Sequence, residues 1–256
     1  MIDNEFSVKW INKKALKDAF VIKGIPGVGS ISYIAVDYLI NKLKAELVCK
    51  IYSSYLPKIV IVNPNSTVEQ PCFELYLYSK NKKKIVFLKN NYPPTNEFYI
   101  HKTNEFFSEF FKKQKIKQVI TIAGIAYKTM PKSIKLHAVA TNKSLKKKLE
   151  KTNLIFDGNK SVSLIIGSAG LLLTYCEQKN IPGFCILVST WGHPKYVGIK
   201  ESRKVIEFLS NYLKFKVDLT DLDKEIKRLN IELKKVDLPN PDIKKQTDYN
   251  KSRYIG

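Results

Sequence analysis

The residues with the clearest potential for chemistry form a glycine-rich stretch near the start of the chain. It runs from Gly24 to Ser30 and includes Pro26, Gly27 and Gly29. Apolar residues at helical spacing follow it, so N–H groups at the start of that helix could hold an anion. The stretch lacks the lysine of a Walker loop and the glycine spacing of a dinucleotide-binding loop. An anion site and a tight turn against a neighbouring element both stay open, and we favour the turn.

Histidines and cysteines give little indication of a catalytic or metal site. His193 follows a predicted strand at the edge where α/β enzymes place their chemistry, but no nucleophile elbow or nearby carboxylate accompanies it. His101 fits a helix start, and His137 fits a buried strand. The four cysteines form no Cys-x-x-Cys pair and have no histidines at zinc-ligand spacing. We therefore predict no catalytic residue, no metal and no cofactor, with reduced thiols in a cytoplasmic protein.

The apolar pattern predicts strands that alternate with helices. Two apolar segments flank Asp157-Gly158, which predicts a hairpin with arms at 153–156 and 161–166. Repeated strand–helix units with apolar strands predict a mixed or parallel sheet that is covered on both faces. Further strands are predicted at 19–23, 47–53, 58–63, 73–79, 84–88, 118–123, 135–141 and 183–189, and helices at 31–43, 99–115, 143–151, 168–179 and 200–215.

The chain changes character after residue 217. Leu222, Ile226, Leu229 and Leu233 belong to a narrow apolar stripe on a helix that is otherwise charged. The stripe fits a helix folded back on its own domain, and it equally fits a helix that packs on a neighbouring subunit or partner. Two prolines then end the helix. The predicted organisation is a core domain at 1–217, a C-terminal helix at 218–238 and a flexible tail at 239–256.

The net charge of +21 has three explanations: a nucleic-acid partner, an acidic protein partner, or a genome-wide lysine bias that leaves a lysine-rich surface. The 44 basic residues include only three arginines. Arginine is the residue whose planar fork reads base edges and phosphates. We therefore favour a lysine-rich surface and keep a lysine-rich nucleic-acid binder as an alternative. The longest apolar run is well short of the ~20 residues that a membrane-spanning helix needs, so no membrane partner is expected.

Three stretches together resemble the proteasome assembly chaperone family, which includes eukaryotic proteasome assembly chaperone 2 and its archaeal relatives. The resemblance extends from Val21 to Phe215. In the second stretch, the family usually has Gly-Gly where this chain has Ala123-Gly124. The resemblance implies an α/β fold, a three-layer α/β/α sandwich similar to the nucleoside-phosphorylase fold, with the C-terminal amphipathic helix added to it. The stretches begin Ile22-Lys-Gly-Ile-Pro-Gly-Val-Gly-Ser, Gln118-Val-Ile-Thr-Ile-Ala-Gly-Ile-Ala and Ile166-Gly-Ser-Ala-Gly-Leu-Leu-Leu.

The same resemblance implies a function. Family members self-associate and dock onto proteasome α-subunits, and archaeal members do so through a C-terminus with a tyrosine as its penultimate residue. Here Tyr254, Ile255 and Gly256 end the sequence, so the tyrosine falls one position early. We expect a non-enzymatic, cytoplasmic homo-oligomer that binds proteasome α-subunits, or another ring-shaped complex, partly through these three residues. The alternative is an enzyme of nucleoside-phosphorylase type that uses the glycine-rich stretch for phosphate, and nucleic acid is not an expected partner.

Overall fold

The computed structural model describes the backbone of residues 5–235 and the side chains of residues 5–228. This part of the chain forms ten strands and six helices, with a short 3-10 turn before the first helix. The strands are β1 (Phe6–Trp10), β2 (Phe20–Gly24), β3 (Glu46–Ser53), β4 (Ile61–Val62), β5 (Val68–Glu69), β6 (Phe73–Lys80), β7 (Lys83–Lys89), β8 (Gln118–Tyr127), β9 (Leu136–Ala140) and β10 (Gly183–Trp191). The helices are α1 (Ile31–Leu43), α2 (Glu97–Lys113), α3 (Lys143–Leu149), α4 (Ser168–Gln178), α5 (Ile199–Leu213) and α6 (Thr220–Lys235).

Eight of these strands form one mixed sheet in the order β1-β3-β6-β7-β2-β8-β10-β9, and β4 pairs with β5 in a separate ribbon. The central strands β7, β2, β8 and β10 run parallel. The outer strands pair antiparallel with their neighbours. Parallel neighbours cannot be joined by a tight turn, so longer connections that contain helices link them. This arrangement brings the carboxyl ends of the four central strands to one edge of the sheet.

Helices cover both faces of the sheet. On one face α2 packs against α4, and Phe107, Phe111 and Leu172 from these helices are buried in a core shared with the strands. On the other face α1 packs against α5, and Leu39 and Val205 are buried in a second core. Strands β8 and β10 lie between the two cores and are buried over nearly their whole length. The predicted α/β fold, with a mixed sheet between two helix layers, is confirmed.

Asparagine side chains cap the starts of two helices. Asn96 accepts hydrogen bonds from the N–H groups of Phe98 and Tyr99, at 2.9 and 3.4 Å, where α2 begins. Asn142 accepts one from the N–H of Leu145, at 2.8 Å, where α3 begins. An N-cap of this kind stabilises a helix by about 1 kcal/mol because it satisfies N–H groups that have no partner within the helix.

The hairpin predicted at 153–166 is wrong. Neither arm forms a strand, and Ile155 makes only a single parallel bridge with β9. The two arms are anchored on opposite faces of the sheet, because Leu154 is buried in the core beneath α1 and α5 and Val162 in the core beneath α2 and α4. A hairpin would hold both arms in one layer. The segment passes instead around the outer edge of β9.

The predicted strands differ from the structure at two other places. The strand predicted at 58–63 is reduced to the two residues of β4, because its partner β5 is equally short and stands apart from the main sheet. Strand β1 was not predicted, although it pairs antiparallel with β3 along its full length. Phe6 is buried while Ser7 and Lys9 are exposed, which is the alternation expected of an edge strand with one covered face.

The first turns of α6 pack on their own domain. Leu222 is buried in the core beneath α1 and α5, and Ile226 is half-buried. The Asp223 carboxylate pairs with the Arg203 guanidinium of α5, with Oδ1 and Nε 2.5 Å apart. The beginning of the apolar stripe therefore contacts the chain's own core.

The rest of the predicted C-terminal region is only partly covered by the structure. Leu229 and Leu233 lie on α6 at positions whose side chains are not described. The predicted tail at 239–256, with its docking residues Tyr254–Gly256, lies outside the described residues. The division into core domain, helix and tail therefore stays a prediction. Among the residues described, no helix is both long enough and apolar enough to cross a membrane.

Replacing Leu222 with Ala should lower the free energy of unfolding by about 2–5 kcal/mol, because it removes buried apolar contacts and leaves a cavity. Ile226→Ala, at a half-buried position of the same stripe, should cost less. Urea denaturation followed by circular dichroism measures both losses. If the two substitutions cost equally little, Leu222 is not anchored in the core.

Candidate functional site

The glycine-rich loop lies at the edge of the sheet where the carboxyl ends of the central strands meet. It follows β2 and precedes α1. Pro93 and Pro94, which come after β7, and the start of α4 lie beside it. Open α/β sheets usually place their ligand sites at this edge. We therefore expect any chemistry of the fold to be centred on this loop.

Two glycines of the loop allow close packing. A Cβ atom on Gly24 would lie 2.3 Å from the Cβ of Val36 in α1, so only glycine lets the strand and the helix approach this closely. Gly29 has a φ of +63°, and its carbonyl oxygen accepts a hydrogen bond from the N–H of Gly198 at 2.8 Å. Ser30, with a φ of +51°, leads into α1 without capping it. The tight turn that the sequence favoured accounts for both glycines.

The loop also packs against β8, the second of the stretches that carry the family resemblance. A Cβ atom on Gly124 would lie 2.9 Å from the carbonyl oxygen of Val28, so this position needs a glycine if the loop is to pass so close. Ala123, the neighbouring residue, lines a cavity together with Pro26 and Gly27 of the loop. The first and second stretches therefore meet at one place in the fold.

Lys23, the residue before the loop, is buried at this edge. Only 5% of it is exposed, and it lies in an otherwise apolar strand. Its Nζ donates to the main-chain oxygen of Ser168 at 2.8 Å, to the Oδ1 of Asn104 at 3.3 Å, and to the Ser168 Oγ. Asn104 belongs to α2 and Ser168 begins α4, so the lysine connects both helices to β2. All three acceptors are electrically neutral.

Burial lowers the pKa of Lys23 from 10.5 to about 7, because an ammonium group is stabilised less in the protein interior than in water. Its titratable neighbours are the thiols of Cys176 and Cys185. Burial also raises the pKa of each thiol to about 12, so both are neutral at physiological pH. Lys23 therefore changes its charge in the neutral range.

A cavity of about 160 Å³ opens beside Lys23, between the glycine-rich loop and the start of α4. Its walls are mostly apolar and include Ile25, Ile100 and Ile122. Its polar side chains are those of Lys23, Ser32 and Ser168. Mostly apolar walls with a few convergent polar groups are the usual lining of a ligand site.

The three histidines lie on separate parts of the fold. His193 stacks on Trp191, with ring centroids 4.6 Å apart, in the exposed segment after β10. The Nδ1 of His101 in α2 lies 3.0 Å from the hydroxyl of Tyr175 in α4. His137 is buried in β9. Within residues 5–228, whose side chains are described, no three His, Cys, Asp or Glu side chains come together as a metal-binding group.

The family model of the PAC2 family matches residues 21–237, which is most of the chain. This chain belongs to the PAC2 family. The resemblance to the proteasome assembly chaperone family in the three sequence stretches is thereby confirmed.

Solved structures share the PAC2 fold of this chain. PbaB of Pyrococcus furiosus, an archaeal proteasome activator, is 22% identical with a TM-score of 0.81, over 91% of this chain and 99% of PbaB. PbaA of the same organism, an archaeal homolog of proteasome-assembly chaperone, is 20% identical with a TM-score of 0.70, over 89% of this chain and 90% of PbaA.

The chain also has a relative by sequence. An uncharacterized protein of Methanocaldococcus jannaschii is 26% identical over 244 residues, 90% of each chain.

Sequence reasoning identified part of this candidate site. Pro26 and Gly27 line the cavity as loop residues, but Lys23, Asn104 and Ser168 were not predicted. A signal for the lysine was available, because it is the one charged residue in the apolar strand β2. Its partner on α4 lies 145 residues further along the chain, and no spacing pattern predicts such a contact.

The stability difference between the natural protein and Lys23→Met should depend on pH. Between about pH 7 and 10.5 the unfolded chain holds a proton on Lys23 that the folded chain releases, so the natural protein should gain up to about 1.4 kcal/mol per pH unit relative to the variant. Below that range the cost of the buried charge is fully present. Urea denaturation at neutral pH and at about pH 9.5 measures the difference. A difference that does not change with pH would contradict the lowered pKa.

Proposed function

We propose that this protein is a non-enzymatic, proteasome assembly chaperone-like protein. It acts in the cytoplasm, self-associates and binds proteasome α-subunits or another ring-shaped complex. Membership of the PAC2 family over residues 21–237 carries the proposal. The shared fold with PbaB, an archaeal proteasome activator, and with PbaA, an archaeal homolog of proteasome-assembly chaperone, supports it. Because that likeness is one of fold, the partner and the way it is bound are part of the proposal.

The packing of the glycine-rich loop supports a role without catalysis. The close approach of Gly24 to Val36, and the positive φ of Gly29, explain these glycines without a substrate. The alternative, a phosphate-using enzyme of nucleoside-phosphorylase type, requires acid and base side chains within hydrogen-bond reach of one substrate. The likeness of the fold to nucleoside phosphorylases stays an expectation from the sequence resemblance.

Several lysines have structural contacts that favour a lysine-rich surface over a nucleic-acid site. The Nζ of Lys83 donates to the carbonyl oxygen of Lys214 at the end of α5, at 3.0 Å. The Nζ of Lys112 donates to the carbonyl oxygen of Lys179 at the end of α4, at 2.9 Å. Positive charges at helix C-termini stabilise the last carbonyl groups. A lysine-rich nucleic-acid binder is the remaining alternative, and binding that survives moderate salt would favour it.

Deletion of Tyr254–Gly256 should weaken binding to assembled proteasome α-subunit rings by about tenfold or more. Tyr254 offers a partly apolar ring with a polar hydroxyl, and Ile255 an apolar side chain, to a pocket on the partner. Surface plasmon resonance with immobilised rings measures the affinity, and Ser252→Ala is a control that leaves the last three residues intact. Unchanged affinity after the deletion rules out these residues as the docking element. No binding by the natural protein overturns the proposed partner.

Light scattering should give a mass of at least twice the 29.4 kDa of one chain. If the second half of the apolar stripe on α6 joins subunits, the double substitution Leu229→Asp and Leu233→Asp should reduce the mass to that of one chain without unfolding it. Lys224→Asp with Lys227→Asp is the control, since both lysines are exposed on the same helix. A monomeric natural protein at micromolar concentration would refute self-association.

A further inference from the structure

The protonated form of Lys23 has no opposite charge beside it in the described part of the chain. Its hydrogen-bond acceptors are an amide oxygen, a main-chain oxygen and a hydroxyl. None of the described residues that line the adjacent cavity is an Asp or a Glu. Neutral acceptors satisfy the N–H groups of an ammonium but leave its charge uncompensated, and a buried uncompensated charge is costly.

Two helix N-termini add to the positive potential of the same cavity. Ile31 and Ser32 at the start of α1, and Ser168 and Ala169 at the start of α4, all line it. Neither helix has a side-chain N-cap or an acidic residue in its first turn. Free N–H groups and the helix dipole make each start attractive to an anion.

The other long helices begin with negative or polar side chains. Helix α2 has the Asn96 cap and Glu97, α5 has Glu201, and α6 has Asp221 and Asp223 in their first turns. Among the described helices of eight residues or more, only α1 and α4 lack both devices, and both begin at the cavity that contains Lys23. An ammonium group and two helix starts therefore converge on one cavity.

We propose that this cavity binds a small organic oxyanion, with its charged group at Lys23 and its apolar part against the isoleucine walls. The anionic group accepts a hydrogen bond from the Nζ of Lys23 in place of the Oδ1 of Asn104. The distance from Nζ to that Oδ1 is 3.3 Å, longer than the 2.8 Å from Nζ to the main-chain oxygen of Ser168. The apolar part lies against Ile25, Ile100 and Ile122. This site does not depend on the proposed proteasome partner, since it involves neither α6 nor the tail.

The size of the cavity restricts the ligand. Its volume of about 160 Å³ is below the range of about 300–1,000 Å³ typical of sites for drug-sized ligands and cofactors. Ala123 forms part of the wall, so a larger side chain at this position would reduce the volume further. A short-chain carboxylate fits these limits best, and inorganic phosphate tests the same anion chemistry without an apolar part.

The test is isothermal titration calorimetry of the full-length protein with butyrate and, separately, with inorganic phosphate. We expect one saturable site per chain for butyrate, and an affinity at least about tenfold lower in Lys23→Met, which keeps the side-chain length without the charge. Ala123→Val fills the cavity and leaves Lys23 in place, so it should weaken butyrate binding to a similar degree. Lys147→Met removes an exposed lysine of α3 and should bind as the natural protein does.

Each result decides the proposal. Saturable binding of butyrate that both cavity variants lose and Lys147→Met keeps supports it. Saturable binding of phosphate alone overturns the organic ligand, because phosphate leaves the isoleucine walls without a role, even if that binding depends on Lys23. Equal affinity in the natural protein and Lys23→Met, or no saturable binding of either anion, overturns it. Circular dichroism checks that each variant is folded. If Lys23→Met does not fold, the affinity of Ala123→Val for butyrate decides the outcome.

Discussion

The parallel pairing of β7, β2, β8 and β10 is the constraint on which the rest of this structure depends. Strands that pair in this way must be connected by crossovers, and the crossovers place helices on both faces of the sheet. The central strands are then cut off from water on both sides, which requires the apolar runs seen in β8 and β10. The same pairing brings the loops after these strands together at one edge. The close contacts of Gly24 and Gly124 follow from this crowding, since a helix and a loop must both fit against the strand ends there.

Lys23 conflicts with the apolar character of the strand that carries it. A lysine in a buried strand loses hydration. The Nζ of Lys23 also lies beside the start of α4, where the helix dipole repels a positive charge. In return, its Nζ joins β2 to α2 and α4 through Asn104 and Ser168. Hydrogen bonding explains how the amine is held, but it does not explain the choice of a basic group. A methionine would fill similar space without the electrostatic cost.

Much of the fold could be predicted from the sequence because strands that are buried on both faces consist of nearly continuous runs of apolar residues. The segments that became β8 and β10, and the helical spacing that became α1, were predicted with small errors at their ends. The hairpin at 153–166 was wrong because an apolar pattern does not reveal which face of the sheet each residue joins, and Leu154 and Val162 join different faces. The glycine-rich loop was found by its composition. The contact between Lys23 and Ser168 was not, because it depends on how two distant elements pack.

The path of the chain around β9 has a consequence for the protein's behaviour at high concentration. The Ala138 N–H donates to the carbonyl oxygen of Ile155, and the Ile155 N–H donates to that of Leu136, each at 2.9 Å, so part of the free side of this border strand is already occupied. An unprotected border strand offers a template on which other chains can add by main-chain hydrogen bonding, and this is a common start of aggregation. The irregular segment at 153–166 thus covers part of the free side of β9 and hinders the addition of other chains there.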